Sequence, residues 1–306
     1  MTEQDKLLRW FYLALLSLIW GSSFILMKRG LQSFSPDQVA ATRMLVSFLS
    51  LFPFVIYRIK KIEKKYFKYI FTIGLLGNGI PAFLFTHAQT HIASAMAGML
   101  NSLTPVFVVI VGSLFFGSVF KASHIFGVII GLAGAVALIL INSKGKITGT
   151  DNAYGLLIVV ATISYAFSVT IMRRFLQTLD AVLITGFALF ITGIPSGIFL
   201  FTTDFTQRLQ TVPGAWTNLF YVILLGLFGT AVSTILFYKL VKISNALYAS
   251  SVTYIIPIVA LLWGIFDGET LGIHHFLAMS GILFGVYLIN LQSIREQKSI
   301  SKHLKP

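Results

Sequence analysis

Ten stretches of roughly twenty mostly apolar residues follow one another along the chain, separated by short polar loops. They cover about 10–29, 36–57, 67–87, 93–116, 123–142, 153–173, 180–201, 216–238, 245–266 and 273–292. About 20 apolar residues in a helix match the hydrocarbon thickness of a bilayer. Each stretch therefore predicts one membrane-spanning helix, and the short loops make consecutive helices antiparallel neighbours. The first stretch, Leu7 to Met27, ends in Lys28-Arg29 and lacks a small-residue cleavage site, so it reads as a span and not as a signal peptide. The expected fold is an all-α membrane protein with ten transmembrane helices.

Composition points the same way. Of 306 residues, 56% are hydrophobic and only 11% charged, with a mean hydropathy of +0.86. A soluble chain carries about a quarter charged residues. No long polar stretch separates off a soluble domain; the longest internal one, "YRIKKIEKKYFK", is a loop. With no cysteine, disulfides, thiolate metal sites and cysteine nucleophiles are excluded.

The net charge of +13 would suggest nucleic acid in a soluble protein. Here it is spread over loops. Seventeen of the 23 Lys and Arg fall on the amino-terminal side of the ten spans, five on the other, and Arg43 lies inside a span. Basic residues collect on the cytoplasmic side of membranes. Both termini are thus expected in the cytoplasm, the chain in the inner or plasma membrane, and no nucleic-acid partner is expected.

The pattern also repeats. "LTPVFVVIVGSLFFG" is echoed by "IIPIVALLWGIFDG": Pro105 precedes Gly112 by seven residues, as Pro257 precedes Gly264. "WGSSFILMKR" is echoed by "YAFSVTIMRR", pairing Trp20 with Tyr165, Ser23 with Ser168, and Lys28-Arg29 with Arg173-Arg174. Gly127 and Gly131 match Gly281 and Gly285. Ordered self-similarity over several segments marks duplication. Each copy holds five spans, and an odd number inverts the second copy. The chain is expected to be two inverted five-helix repeats, 1–147 and 148–306, a transporter design with its site near mid-membrane.

"WGSSFILMKRG", "SPDQVAATRMLVSF" and "SAMAGMLNSLTPVFVVIVGSLFFG" with its echo at 245–269 resemble the EamA group of the drug/metabolite transporter superfamily, over about residues 8 to 292. The resemblance implies a ten-helix, two-repeat secondary transporter, usually an inner-membrane exporter of small metabolites. The family tends to place Gly-Glu after spans four and nine. The second copy keeps Gly268-Glu269, whereas the first has Gly117-Ser118.

Polar groups within spans are the candidate site. Pro105 and Pro257 are paired kinks; carbonyls freed there need partners, or else the bends serve packing alone. Asn101, Ser102 and Thr104 precede the first kink; Ser250, Ser251, Thr253 and Tyr254 precede the second. Trp20 and Tyr165 can line a pocket or simply pack; Ser23 and Ser168 share their helices, and Ser233 lies in the eighth span. Asn78, between Gly77 and Gly79 and before Pro81, is a lining residue or an interhelical hydrogen-bonder. Arg43 is either an electrostatic contact to substrate or gate, or a structural arginine, and the second is favoured. His87 and His91 stand four apart if their helix continues; a metal site is disfavoured, His87 is open to gating or proton sensing, and hydration at the interface is favoured over both. His274 and His275 read as interface residues. The cavity-lining candidates are Trp20, Ser23, Asn78, His87, Asn101, Ser102, Tyr165, Ser168, Ser233 and Tyr254, with Pro105, Pro257 and Arg43 as gating or kink residues.

No Asp or Glu lies deep in a span, which disfavours exchange of cationic drugs on an embedded carboxylate. A neutral or zwitterionic solute such as an amino acid fits by elimination. The expected function is secondary transport by alternating access, with no cofactor or metal, proton coupling left open, and a monomer or homodimer. A passive channel is the alternative. An intramembrane lipid-modifying enzyme is disfavoured because His-Glu-x-x-His, Gly-x-Ser-x-Gly and phosphate-loop motifs are missing.

Overall fold

The computed structural model describes residues 3–57, 62–117, 122–141, 153–244, 249 and 252–303. Among them the regular elements are helices: α1 Glu3–Gly30, α2 Pro36–Ile56, α3 Lys64–Ala88, α4 Ser94–Phe116, α5 Ala122–Leu140, α6 Ala153–Phe175, α7 Ala181–Phe201, α8 Phe205–Thr211, α9 Ala215–Ile243, α10 Val252–Phe266 and α11 Ile273–His303. Seven of these are long and apolar enough to cross a membrane: α1, α2, α3, α4, α6, α7 and α9. Three shorter apolar helices, His124–Leu140, Val252–Phe266 and Ile273–Ile289, fall where the remaining spans were expected. The short α8 had no counterpart in the apolar pattern, because its seven residues are mostly polar. Ser118, Ser250 and Ser251 lie outside the described residues.

Helix ends follow local chemistry. Ser35 caps α2 in a reciprocal box with Gln38, and Pro36 occupies its first turn, where no amide hydrogen is needed. The Asp180 carboxylate accepts the Val182 and Leu183 amides at the start of α7.

Each end of the bundle is tied by different contacts. At the terminal face, where α1 begins and α11 ends, Arg9 donates to the Ile243 carbonyl, Arg174 to the Phe116 carbonyl and Lys242 to the Leu179 carbonyl. At the far face, Gln38 bonds Thr203 and Asp204, and Asn218 donates to Ser33 at 2.7 Å. Between the faces the most extensive packing joins α5 to α11, α2 to α7, α3 and α4 to α6, and α1 to α9 and α10. Glycines allow the closest approach: a Cβ on Gly285 would meet Gly131 N at 2.5 Å. Without a hydrophobic drive between helices in lipid, such small-residue contacts provide van der Waals packing. Phe115, Phe126, Phe201, Trp216 and Phe266 point outward and exposed, as a lipid-facing surface requires.

Two segments depart from regular α geometry. Leu75–Gly79 inside α3 and Leu227–Val232 inside α9 are π-helical. In α3 the cause is Pro81, which cannot donate to the Gly77 carbonyl and whose ring crowds it; one wide turn relieves the clash. In α9 the matching position is Ser233, and the carbonyl of Gly229 instead accepts the Trp20 indole N–H at 3.2 Å. π-turns concentrate at functional sites.

Candidate functional site

The two π-segments face a common cavity of about 160 Å³ between α1, α2, α3, α4, α6, α9 and α10. Gly77 and Asn78 line it from one side, Gly229 and Thr230 from the other. Of the candidates read from sequence, Trp20, Ser23, Asn78, Asn101, Tyr165, Ser168, Pro105 and Arg43 come together in its wall. Thr230, Thr234, Phe237, Tyr238 and Arg173 also line it, though the sequence did not single them out as lining. The Gly77–Gly229 match, 152 residues apart like Pro105–Pro257, was the signal that would have found Thr230 opposite Asn78.

The proline in α4 has its cost met locally. Pro105 leaves the Asn101 carbonyl without its usual amide, and the Thr104 hydroxyl donates to that oxygen at 2.8 Å. The helix opens over Ser102 and Leu103 and turns Asn101 toward the cavity. Pro257 frees the Thr253 carbonyl in the same way, and Ser102 of α4 donates to it at 3.2 Å. Ser102 thus lies outside the cavity wall and binds the second kink from the first half of the chain. Pro257 sits inside α10 without breaking it.

Arg43 is 8% exposed, and its Nε donates to Thr230 Oγ1 at 2.6 Å. Its guanidinium also lies beside the Tyr165 hydroxyl. The Trp20 indole donates to Ser233 Oγ at 2.9 Å as well as to Gly229, which places Ser233 behind Trp20 and outside the wall. Tyr254 is likewise outside the wall, half-buried against the core.

His87 is at the far face, not in the cavity. Its Nε2 lies 2.8 Å from Asp37 Oδ1. The helix carrying it ends at Ala88, so His87 and His91 do not share a helical face; His91 stacks on Tyr154 at 3.6 Å. His275, expected at an interface, is buried beside Gly272.

Two layers lie on the far-face side of the cavity. Phe24, Phe85 and Tyr165 form an aromatic layer, with Phe24 and Phe85 centroids 5.8 Å apart and Phe85 and Tyr165 6.1 Å apart. Beyond it, Lys28 Nζ reaches Asp267 Oδ2 at 2.6 Å and Glu269 Oε1 at 2.7 Å, and Arg29 joins Asp267. Glu269 also caps α4: it accepts from the Ser94 amide and hydroxyl at 2.9 and 2.8 Å and from the Ala95 amide at 3.0 Å. Burial alone would raise this carboxyl's pKa, but the Lys28 ammonium and the α4 donors outweigh it and hold it below the ordinary value. Gly268, at φ +78°, makes the left-handed turn that returns the chain to α4, and Gly264 leaves the room Glu269 fills. In the other direction the wall continues to Arg173, Val241 and Val252, at the terminal-face ends of α6, α9 and α10. Among the described residues Arg173 and Arg174 form no ion pair.

A protein of Archaeoglobus fulgidus described as an uncharacterized transporter is 26% identical over 283 residues, spanning 92% of this chain and 98% of its own. The uncharacterized inner membrane transporter YedA of Escherichia coli K12 is 29% identical over 285 residues, 90% of this chain and 88% of its own. Protein PagO of Salmonella typhimurium is 23% identical over 283 residues, 90% of each. A crystal structure at 17% identity superposes with a TM-score of 0.64 over 96% of this chain and 99% of the other, a likeness of fold. The sequence pattern described as the EamA-like transporter family matches twice, at residues 8–140 and 153–291. This multi-pass integral membrane protein therefore belongs to the EamA-like transporter family.

Proposed function

We propose that the protein is a secondary transporter of small neutral or zwitterionic solutes such as amino acids, working by alternating access as an exporter in the inner or plasma membrane. The observation that carries the reading is the placement of the cavity: its wall reaches the terminal-face ends of α6, α9 and α10, while the aromatic layer and the Lys28–Asp267–Glu269 cluster stand on its far-face side. With the basic loops setting the terminal face in the cytoplasm, this is a loading state open toward the cell interior. A cavity of about 160 Å³ suits a solute of roughly amino-acid size, since about 150 Å³ admits benzene.

The halves 1–147 and 148–306 act as inverted repeats in this reading. Paired π-segments support it, as does the double match of the family pattern. So does an exchange of contacts: a Cβ on Gly77 would meet Ser168 Oγ at 2.2 Å, and one on its counterpart Gly229 would meet Ser23 Oγ at 2.6 Å. Ser23 and Ser168 are themselves counterparts. Rocking of one repeat against the other then breaks the far-face cluster and opens the site outward.

The test is counterflow in liposomes containing the purified protein, with labelled amino acids inside and unlabelled solutes outside, with and without a pH gradient. Saturable exchange is expected. Linear, non-saturating flux without counterflow identifies a passive channel and overturns alternating access.

A further inference from the structure

Among the described residues two guanidinium groups, Arg43 and Arg173, line the cavity, and no Asp or Glu does. Arg43 is the deeper one. Its contacts, Thr230 and Tyr165, are neutral hydroxyls, and among the described residues no carboxylate pairs with it. A buried charge held only by neutral groups is expensive and calls for a counter-charge. Two further polar groups of the wall are unfinished. The Asn78 Nδ2 donor is buried with no acceptor, and the Asn101 Oδ1 acceptor is buried with no donor. Asn78 is 5% exposed, so bulk solvent does not satisfy it. The wall also carries the hydroxyls of Ser23, Ser168 and Thr234 and an apolar part formed by Phe24, Met27, Phe85, Val108 and Phe237.

The geometry points to a carboxylate subsite. The Arg43 guanidinium, fixed by Thr230 and Tyr165, takes the carboxylate of the solute, and the Asn78 amide donates to the same group. The Asn101 carbonyl oxygen accepts from an ammonium carried near that carboxylate, and the apolar wall takes the side chain. Of the neutral and zwitterionic solutes proposed above, on which this inference rests, the site selects those bearing a carboxylate and rejects their esters, amides and amines. Arginine suits this role because its planar fork matches a carboxylate with two parallel hydrogen bonds.

The probes are leucine, 4-methylpentanoate, leucine methyl ester, leucinamide and 3-methylbutylamine. Binding to the purified full chain is read from tryptophan fluorescence, since Trp20 lines the cavity, and transport from counterflow in liposomes. Leucine binds best and 4-methylpentanoate next; the ester, amide and amine bind at least about tenfold more weakly, the loss of one charged hydrogen bond. Arg43→Gln abolishes the discrimination. If that variant fails to fold, Asn78→Asp serves instead: it supplies an internal carboxylate, keeps the guanidinium paired, and is expected to exclude both acids while admitting 3-methylbutylamine. Equal binding of leucine and its ester or amide, no binding of either acid, or unchanged acid binding by Asn78→Asp overturns the subsite. Counterflow without carboxylate preference removes the subsite and leaves transport standing; carboxylate-selective binding without counterflow does the reverse.

Discussion

Lys28 Nζ lies 2.7 Å from Glu269 Oε1, joining the end of α1 to the turn after α10, 241 residues along the chain. Because Glu269 also caps α4 through the Ser94 and Ala95 amides, one carboxylate holds three elements at the far face. The Glu269 side chain is 5% exposed and that of Lys28 is 33% exposed, so the pair is more than a solvated surface bridge.

Loosening that contact should open the far face. Glu269→Gln keeps the shape but removes the charge, and is expected to shift the balance by about 1–2 kcal/mol, roughly 5–30-fold in population. The chain has no cysteine, so a single Met27→Cys, buried in the cavity wall, reports access. A membrane-impermeant thiol reagent applied from the far face should label it faster in the Glu269→Gln background. Equal rates would show that the cluster does not hold the closure.

The same carboxylate sets a pH dependence. Its pKa in the folded protein is lowered from 4.5, against the opposing effect of burial. A lowered carboxyl pKa means that the folded state favours the ionised form, so the stabilisation is complete above the ordinary value and is lost as pH falls through the folded-state value. The thermal unfolding midpoint should exceed that of Glu269→Gln near neutral pH, and the gap should close as pH drops below about 4.5. A gap that persists unchanged at pH 3 contradicts the assignment.

Ser102 and Pro257 should be energetically coupled. Ser102→Ala removes the hydrogen bond from the serine hydroxyl to the Thr253 carbonyl and should cost about 1 kcal/mol. In a Pro257→Ala background the new amide of residue 257 supplies that bond, so the serine change should cost little. A double-mutant cycle on unfolding free energy measures the difference; additivity would mean that the serine does not serve the kink.

Two glycines should behave alike although they belong to different halves. Gly77→Ala and Gly229→Ala each drive a methyl group into a serine hydroxyl, at 2.2 and 2.6 Å. Each should destabilise by about 1 kcal/mol, and Ser168→Ala and Ser23→Ala should relieve their respective partners. Relief in one half only would argue against equivalent repeats.

Much of the site was legible because its residues announce themselves by type. Trp20, Asn78, Asn101 and Arg43 are polar or amphipathic groups in spans that otherwise read apolar, and all four line the cavity. Thr230 and Tyr238 went unnoticed because hydroxyls are common in such spans, and only the repeat spacing of Gly77 and Gly229 marks Thr230. His87 was drawn toward the site by its chemistry, yet its place at the last turn of α3 puts it against Asp37 at the far face. Ser102 was read as a lining group, but the break before Pro105 turns it toward α10.

The sequence by itself determined an all-helical membrane protein with a duplicated pattern, because apolar length and residue spacing are local properties that lipid selects directly. It also marked where backbone carbonyls lose their usual amide, since proline removes a backbone donor wherever it falls. Only the tertiary structure decided which face the ion-pair cluster ties. Lys28-Arg29 and Arg173-Arg174 are matching basic pairs, and nothing local separates them. The fold brings Asp267 and Glu269 to the first pair and no described carboxylate to the second. Opposite charges attract only across the few ångströms that packing permits, so the asymmetry of the cavity belongs to the assembled helices.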